Sequence, residues 1–258
     1  MTNATANPKI SVAGLVKSFG GKRVLDGVDL DVMTGESVVV VGGSGAGKTV
    51  LIKHMIGLIQ PDSGRVVMDG VDLTTASPQA ALEVRKRCGM SFQEGALFDS
   101  MTVFDNIAFP IRRHRSVGPE VVAARVRDCL ALVRLPGVEG RMPAQLSGGM
   151  RRRVGFARAI ALEPDILLFD EPTTGLDPIN TAAIATVIDQ LRQELSVTLV
   201  TITHDMSLAF RVADRIAMIR RGRIVAAGEP EAFRAWPDPY VQAFLKGEVP
   251  EQAEEETV

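Results

Sequence analysis

The strongest constraint on the fold is a glycine-rich segment that directly follows an apolar run. Residues 36–42 read Glu-Ser-Val-Val-Val-Val-Gly, which predicts a strand buried on both faces. Residues 42–49 read Gly-Gly-Ser-Gly-Ala-Gly-Lys-Thr and fit the pattern G-x-x-x-x-G-K-[ST]. A helical pattern follows over residues 47–58, so this part of the chain predicts a strand, a glycine loop and a helix in that order.

This loop contains the residue types that a triphosphate requires. Glycines allow successive main-chain N–H groups to point at phosphate oxygens, and the start of the helix adds the positive end of its dipole. Lys48 would bring a full charge to the β- and γ-phosphates, and the Thr49 hydroxyl would ligate Mg²⁺. The predicted nucleotide-binding residues of the loop are Gly42, Gly43, Ser44, Gly45, Ala46, Gly47, Lys48 and Thr49. A glycine-rich turn without a ligand is the alternative that the full pattern disfavours.

A second, acidic element supports this interpretation. The apolar residues 166–169 predict a strand that delivers Asp170 to the carboxyl edge of a sheet, where ligands bind in open α/β folds. Asp170 is predicted to hold Mg²⁺, and Glu171 to polarise the attacking water as a general base. An acidic pair after a strand is common on protein surfaces, and kinases, GTPases and helicases share both elements. The two elements together therefore predict a nucleotide site but not its class.

The pattern of apolar residues along the rest of the chain predicts an α/β fold. Short apolar runs alternate with helical patterns, which is typical of a parallel sheet covered by helices. Residues 10–16 and 24–33 alternate apolar and polar positions and predict antiparallel strands beside the main sheet. From about residue 96 to residue 160 helical patterns dominate, most clearly over 121–133. This stretch predicts a helical subdomain inserted into the α/β core.

Each motif occurs once, so we expect a single domain over residues 1–247. An acidic tail follows over residues 248–258 and lacks large apolar side chains, and we expect it to be disordered. The longest apolar runs are far shorter than the ~20 residues of a membrane span, and residues 1–10 lack the apolar core of a secretory signal. Any transport path would therefore be formed by another protein.

The charge of the chain is balanced, with 29 basic and 31 acidic residues. A basic face that could serve nucleic acid is therefore not indicated. The triplet of residues 151–153 is too small a cluster for this purpose, and we expect it to be solvated or structural. Cys88 and Cys129 fit neither a disulfide framework nor a metal site, and we expect both to be reduced, buried thiols.

A second anion-binding element lies about twenty residues before the acidic strand. Residues 146–150 read Leu-Ser-Gly-Gly-Met and precede a helical pattern over 151–161. Ser147, Gly148 and Gly149 would supply a hydroxyl, open main-chain amides and a helix dipole. Because one triphosphate does not need two such cradles in one chain, we interpret the second as binding ATP that is held by a partner chain.

Residues 146–150 resemble the L-S-G-G-Q signature of the ABC ATPase family, and the resemblance covers roughly residues 9–246. It implies a P-loop NTPase fold and two cassettes that meet head to tail around ATP. It also implies that Gln93 touches Mg²⁺ and the attacking water and that His204 contacts the γ-phosphate. Asp177 would belong to the loop that crosses the dimer interface, and Phe19 would stack on adenine unless it lies in the core. Met150 replaces the usual glutamine, which implies the loss of one polar contact while the ATP sandwich survives.

Several segments further resemble the Mla branch of this family, whose ATPases energise phospholipid transport between bacterial membranes. They are residues 47–54, 92–98, 106–110, 238–247 and the Met150 variant of the signature. The resemblance implies a peripheral ATPase on the cytoplasmic face of the inner membrane. It also implies a MlaE-like permease together with MCE-domain and STAS-domain subunits.

Two other functions remain open at this point. The chain could energise a solute importer, which would share every catalytic motif. A non-transport nucleotide switch is disfavoured, because the chain has one cassette and no long coiled-coil insert.

Two surfaces of the chain can each be interpreted in two ways. The permease would grip a groove from residues 93–98 to Phe104 and Pro110, where apolar residues form either a binding patch or core. The C-terminal face with Tyr240, Phe244 and Leu245 either docks onto a neighbouring subunit or packs on its own domain.

Overall fold

A computed structural model describes residues 7–93 and 95–248, which form two sheets and surrounding helices. The strands are β1 (Ile10–Phe19), β2 (Lys22–Val32), β3 (Ser37–Val41), β4 (Ser63–Met68), β5 (Val71–Asp72), β6 (Cys88–Ser91), β7 (Ile166–Asp170), β8 (Thr198–Thr203), β9 (Arg215–Arg220) and β10 (Arg223–Gly228). The helices are α1 (Lys48–Met55), α2 (Pro78–Lys86), α3 (Val103–His114), α4 (Pro119–Leu132), α5 (Gly148–Ala159), α6 (Pro178–Leu195), α7 (Met206–Val212), α8 (Pro230–Arg234) and α9 (Pro239–Lys246). The predicted tail beyond residue 248 and the first six residues lie outside the described part.

The main sheet has six strands in the order β10-β9-β3-β8-β7-β6. All of its strands are parallel except β10, which pairs antiparallel with β9 at one edge. Strands β3, β7 and β8 are buried along their whole length, as expected of a parallel sheet covered on both faces. Val39 and Val41 face one apolar core while Val38 and Val40 face the other, because successive side chains alternate across a strand.

The second sheet is antiparallel, with the order β2-β1-β4-β5. The predicted pair of N-terminal strands is confirmed, and each strand is longer on the side of the Gly20-Gly21 turn than the pattern indicated. Buried side chains of this sheet, such as Leu15 and Leu25, share an apolar core with α1 and the main sheet. The glycine loop therefore lies between two sheets that are packed onto each other.

The predicted helical insert is present between β6 and β7 and contains α3, α4 and α5. Helix α5 begins at Gly148, earlier than the predicted residue 151, because the Ser147 hydroxyl accepts the Met150 N–H at 3.3 Å and caps the helix. It ends at Ala159 rather than at residue 161. Asn106 is fully buried in α3 and exchanges hydrogen bonds with both main-chain groups of Phe98, which fixes the segment before the helix.

Packing in the structure bears on two expectations from the sequence. Cys129 is buried as expected, whereas Cys88 is only partly buried. Burial raises the pKa of the Cys129 thiol to about 11 and that of the Cys88 thiol to about 12.

Tyr240, Phe244 and Leu245 of α9 pack against the core of their own chain. Among the described helices, none is both long and apolar enough to cross a membrane.

Candidate nucleotide-binding site

The functional residues meet where parallel strands end at one edge of the main sheet. Strands β3, β6, β7 and β8 run in the same direction, so the segments that follow their carboxyl ends lie side by side. A cavity of about 580 Å³ opens there. Its lining residues are Val24, Ser44, Gly45, Ala46, Gly47, Lys48, Thr49, Val50, Gln93, Glu171, Thr174 and His204. The structure thus brings together residues that are up to 180 positions apart in the sequence.

The glycine loop after β3 is held tightly by its surroundings. Gly47 has φ 104°, and a Cβ atom at this position would lie 2.8 Å from Leu25 Cδ2 and 2.9 Å from the Val24 carbonyl oxygen. Only glycine fits both the conformation and the space. The buried Lys48 ammonium donates to the carbonyl oxygens of Gly42 and Gly43 at 2.7 and 3.0 Å. Lys48 is therefore fixed beneath the loop at the start of α1.

The acidic strand β7 delivers its carboxylate to the other side of the loop. The Thr49 hydroxyl donates to Asp170 Oδ1 at 3.1 Å, so the two predicted Mg²⁺ ligands are adjacent. Burial raises the pKa of the Asp170 carboxyl, the neighbouring Glu171 charge adds to this effect, and the Thr49 hydrogen bond opposes it. The site therefore favours a cation that would offset the cost of burying this charge.

Glu171 lies at the centre of the cavity's polar contacts. Its Oε2 accepts a hydrogen bond from the Thr174 hydroxyl at 3.0 Å and lies 2.9 Å from His204 Nδ1. Its Oε1 lies 3.5 Å from the Lys48 ammonium. The residue has φ 50°, a left-handed conformation that is uncommon outside glycine, and its N–H donates to the Ile202 carbonyl at 2.8 Å. This turn in the backbone directs the second carboxylate into the cavity.

Gln93 and Phe19 occupy different positions relative to the cavity. Gln93 follows β6, is exposed and lines the cavity near Glu171. Phe19 ends β1 outside the lining set and is 46% exposed, with the Lys17 ammonium 5.5 Å from its ring centre. The alternative that Phe19 is a core residue is therefore wrong. Its ring is available to a flat ligand that extends beyond the cavity.

The second predicted cradle lies apart from this cavity. Ser147 is exposed, whereas Gly149 packs against Asn180, and no described residue of the 147–149 segment lines the nucleotide cavity. Asp177 is exposed at the start of α6, where it accepts the Asn180 N–H at 2.9 Å, and this hydrogen bond lowers the pKa of its carboxyl. Met150 packs against the core, so its side chain supports α5. The cradle and the cavity of one chain are two separate surfaces.

Sequence reasoning missed Thr174 and Arg152. Thr174 binds the Glu171 carboxylate and follows it by three residues, a spacing that carries no recognisable pattern by itself. Arg152 was expected to be solvated or structural with its two neighbours, but it is only 8% exposed and donates to the Gln93 carbonyl at 3.1 Å. The arginine triplet gave no signal that its middle member differs from the others.

Comparisons with known proteins agree with this geometry. The family model described as ABC transporter matches residues 25–174. The chain is 42% identical to the intermembrane phospholipid transport system ATP-binding protein MlaF of Escherichia coli K12, over 92% of this chain and 90% of that protein. It is 39% identical to the probable ribonucleotide transport ATP-binding protein mkl of Mycobacterium leprae, over 92% of this chain and 69% of that protein.

Solved structures lead to the same family. A dimeric post-hydrolysis structure of the ATP-binding cassette MJ0796, bound to ADP and Pi, superposes with a TM-score of 0.79 at 28% identity, over 86% of this chain and 98% of that one. The cbiO1 subunit of a Clostridium perfringens ABC transporter complex superposes with a TM-score of 0.82 at 25% identity, over 98% and 100%. The strand-end site, the family match and these relatives show that the chain is an ATP-hydrolysing member of the ABC transporter family.

Proposed function

We propose that this chain is the motor subunit of a bacterial phospholipid transporter, working as a head-to-tail pair through a separate permease. The observation that carries the motor assignment is the convergence of the glycine loop, Asp170, Glu171, Gln93 and His204 at one cavity. The cargo rests on the likeness to MlaF, which covers nearly all of both chains. We assign residues 1–247 to a single ABC ATPase domain.

Within this proposal each residue at the cavity has one task. The N–H groups of residues 42–49 and the Lys48 ammonium bind the phosphates, and Phe19 stacks on the adenine ring. The attacking oxygen of water forms a bond to the γ-phosphorus as the bond to the ADP oxygen breaks. Glu171 accepts the proton that this water loses, and His204 contacts the γ-phosphate while its Nδ1 fixes the Glu171 carboxylate at 2.9 Å.

The described residues fit a magnesium ion that is shared with the nucleotide. Thr49 and Asp170, whose oxygens lie 3.1 Å apart, would supply two hard oxygen ligands, and Gln93 would add a third. No cluster of three or more His, Cys, Asp or Glu residues in the described chain could hold a metal alone. Mg²⁺ takes few protein ligands and completes its shell with phosphates and waters, where it neutralises phosphate charge.

The separation of cradle and cavity supports head-to-tail pairing. Ser147, Gly148 and Gly149 would bind the ATP of the partner chain, and Asp177 would lie at the interface between them. The related cassette MJ0796 is dimeric.

This arrangement predicts complementation between two inactive variants. Ser147→Arg blocks the cradle, and Glu171→Gln removes the proton acceptor, so each variant alone should lack turnover. A dimer purified through two tags, one on each variant, should regain turnover at the single site built from the intact halves. The matched control pairs wild-type chain with the Ser147→Arg/Glu171→Gln double variant, and this dimer should be inactive. Activity in the control dimer would contradict the proposal that two chains build each site.

The permease would bind the surface around two phenylalanines whose rings contact each other at a tilt. Phe98 and Phe109 are each 42% exposed, and their ring centres lie 5.2 Å apart. Only a few residues separate Phe98 from Gln93, which lines the cavity. A movement of the two phenylalanine rings would therefore be transmitted to the cavity through a short stretch of chain. Phe104, in contrast, packs partly against the core, so the proposed binding patch rests on the two exposed rings.

The cargo assignment has one specific competitor. The mycobacterial relative is named for ribonucleotide transport, so an ATPase of a solute importer is the second candidate. The likeness to MlaF covers 90% of that protein, against 69% for the mycobacterial one, which favours the phospholipid assignment. Under that assignment the chain acts on the cytoplasmic face of the inner membrane with a MlaE-like permease and with MCE-domain and STAS-domain subunits.

Purification of the tagged chain from its native membrane in mild detergent tests the cargo. We expect mass spectrometry to find a permease, an MCE-domain protein and phospholipid, all depleted in a mock purification from untagged cells. A solute-binding protein in place of the MCE-domain protein would support the importer and contradict the phospholipid assignment.

A further inference from the structure

A buried arginine joins three segments that have separate tasks in the proposed cycle. Arg152 lies in the second turn of α5 and is 8% exposed. Its Nε donates to the Gln93 carbonyl at 3.1 Å, and its guanidinium also donates to the Thr174 carbonyl. A guanidinium is suited to this position because its rigid fork can serve two acceptors at once.

Helix α5 also holds the chain that follows Gln93. Arg158 donates to the carbonyl oxygens of Gly95 and Ala96 at 2.8 and 2.9 Å. Gly155 packs so closely on this loop that a Cβ atom there would lie 2.9 Å from Gly95 Cα. The loop is therefore attached to α5 through Gln93, Gly95 and Ala96, and we expect it to move when the helix moves.

Each end of this connection reaches a different ATP site. In the same chain as Arg152, Gln93 lines the nucleotide cavity, and the Thr174 hydroxyl donates to the Glu171 carboxylate at 3.0 Å. On the other side, α5 starts with the Ser147–Gly149 cradle, whose residues lie three to five positions before Arg152 on the same helix. A shift of one segment relative to the others would require Arg152 to break hydrogen bonds in a buried position, which is costly.

We infer that Arg152 is a positioning residue that keeps Gln93, Thr174 and the cradle of α5 in register, so that the two ATP sites of a dimer close together. This inference rests on the proposed function of these residues. Arg152 is not among the residues that line the nucleotide cavity, so it would act on hydrolysis through the groups that it holds.

The first test compares Arg152→Ala with a matched control in the purified transporter. Misplacing reacting groups by about 1 Å can cost 10²-fold in rate, so we expect kcat for ATP to fall roughly 10- to 100-fold while KM changes less than about threefold. Arg152→Lys, which retains one donor group toward these carbonyls, should recover part of the loss. The control is Arg125→Ala, which removes hydrogen bonds from another arginine to two carbonyls, those of Ile160 and Ala161, and none of these three residues lines the nucleotide cavity. It should lower Tm similarly and leave kcat unchanged.

A second test separates the two sites of one dimer. Pairing an Arg152→Ala chain with a Glu171→Gln chain leaves one working site, in which Arg152 is missing beside Gln93. Pairing wild-type chain with an Arg152→Ala/Glu171→Gln chain leaves one working site, in which Arg152 is missing behind the cradle. Both dimers should turn over more slowly than a wild-type/Glu171→Gln dimer. A loss confined to either dimer would overturn the connection between sites.

Other outcomes also have a definite meaning. Normal kcat in Arg152→Ala, or an equal loss in Arg125→Ala, would overturn the inference. If Glu171→Gln homodimers turn over normally, the proposed site itself has failed. If they are inactive while Arg152→Ala is normal, only the role of Arg152 has failed.

Discussion

Replacing Glu171 with glutamine should lower ATP turnover by about 10²- to 10⁴-fold while ATP binding persists, because the amide cannot accept the proton of the attacking water. The replacement retains the size of the side chain and one acceptor oxygen. The contacts with Thr174 and His204, at 3.0 and 2.9 Å, therefore retain an acceptor. The loss of charge also removes the partner that lies 3.5 Å from Lys48. That change should leave the ammonium more available to phosphate.

The measurement is phosphate release by the purified transporter, together with equilibrium binding of labelled ATP. Glu83→Gln is the control, because this exposed glutamate pairs with Lys86 on the surface of α2 and lies outside the cavity. Turnover within a few-fold of wild type in Glu171→Gln would remove Glu171 as the proton acceptor. Lost ATP binding in the same variant would mean that the carboxylate serves the fold of the loop.

Replacing Lys48 with alanine should weaken ATP binding itself, by roughly 10- to 100-fold. A hydrogen bond to a charged group contributes about 1.5–3 kcal/mol, and each tenfold change in affinity corresponds to about 1.4 kcal/mol. The buried ammonium also donates to the Gly42 and Gly43 carbonyls. Its loss therefore removes a phosphate ligand and loosens the loop that carries the others. Turnover should fall as well, since less ATP is bound.

Titration with labelled ATP measures this effect, and circular dichroism checks that the variant remains folded. Lys86→Ala provides the control, because it removes an ammonium of the same type that is paired with Glu83 on the surface. Unchanged affinity in a folded Lys48→Ala variant would contradict the assignment of Lys48 to the phosphates. A comparison with Glu171→Gln then separates a defect of binding from a defect of chemistry.

The parts of the fold that could be predicted are those with short-range patterns. The loop of residues 42–49 is contiguous, and strands β3 and β7 each contain a run of four apolar residues because they are buried on both faces. Parallel strands end at one edge, so Asp170, Glu171 and His204 could be placed near the loop without a structure. The order of these motifs was sufficient to identify the family.

Other parts depend on contacts between distant segments. Strand β6 has only four residues, Cys-Gly-Met-Ser, and forms the edge of the main sheet, so it shows neither an apolar run nor alternation. The roles of Thr174 and Arg152 depend on which carbonyl or carboxylate lies within reach, and residue type alone cannot give that. Helix α5 starts three residues before the predicted residue 151, because Ser147 caps it and the two glycines that follow form its first turn.

Under the proposed role of Glu171, its left-handed backbone is a cost in stability that the fold bears for the reaction. A non-glycine residue in this conformation costs of order 1–3 kcal/mol, which must be offset by the surrounding structure. One such offset is the hydrogen bond from its N–H to the Ile202 carbonyl at 2.8 Å. If the chain were selected for stability alone, glycine would be favoured at this position. If Glu171 is the proton acceptor, a strained glutamate here trades stability of the fold for activity.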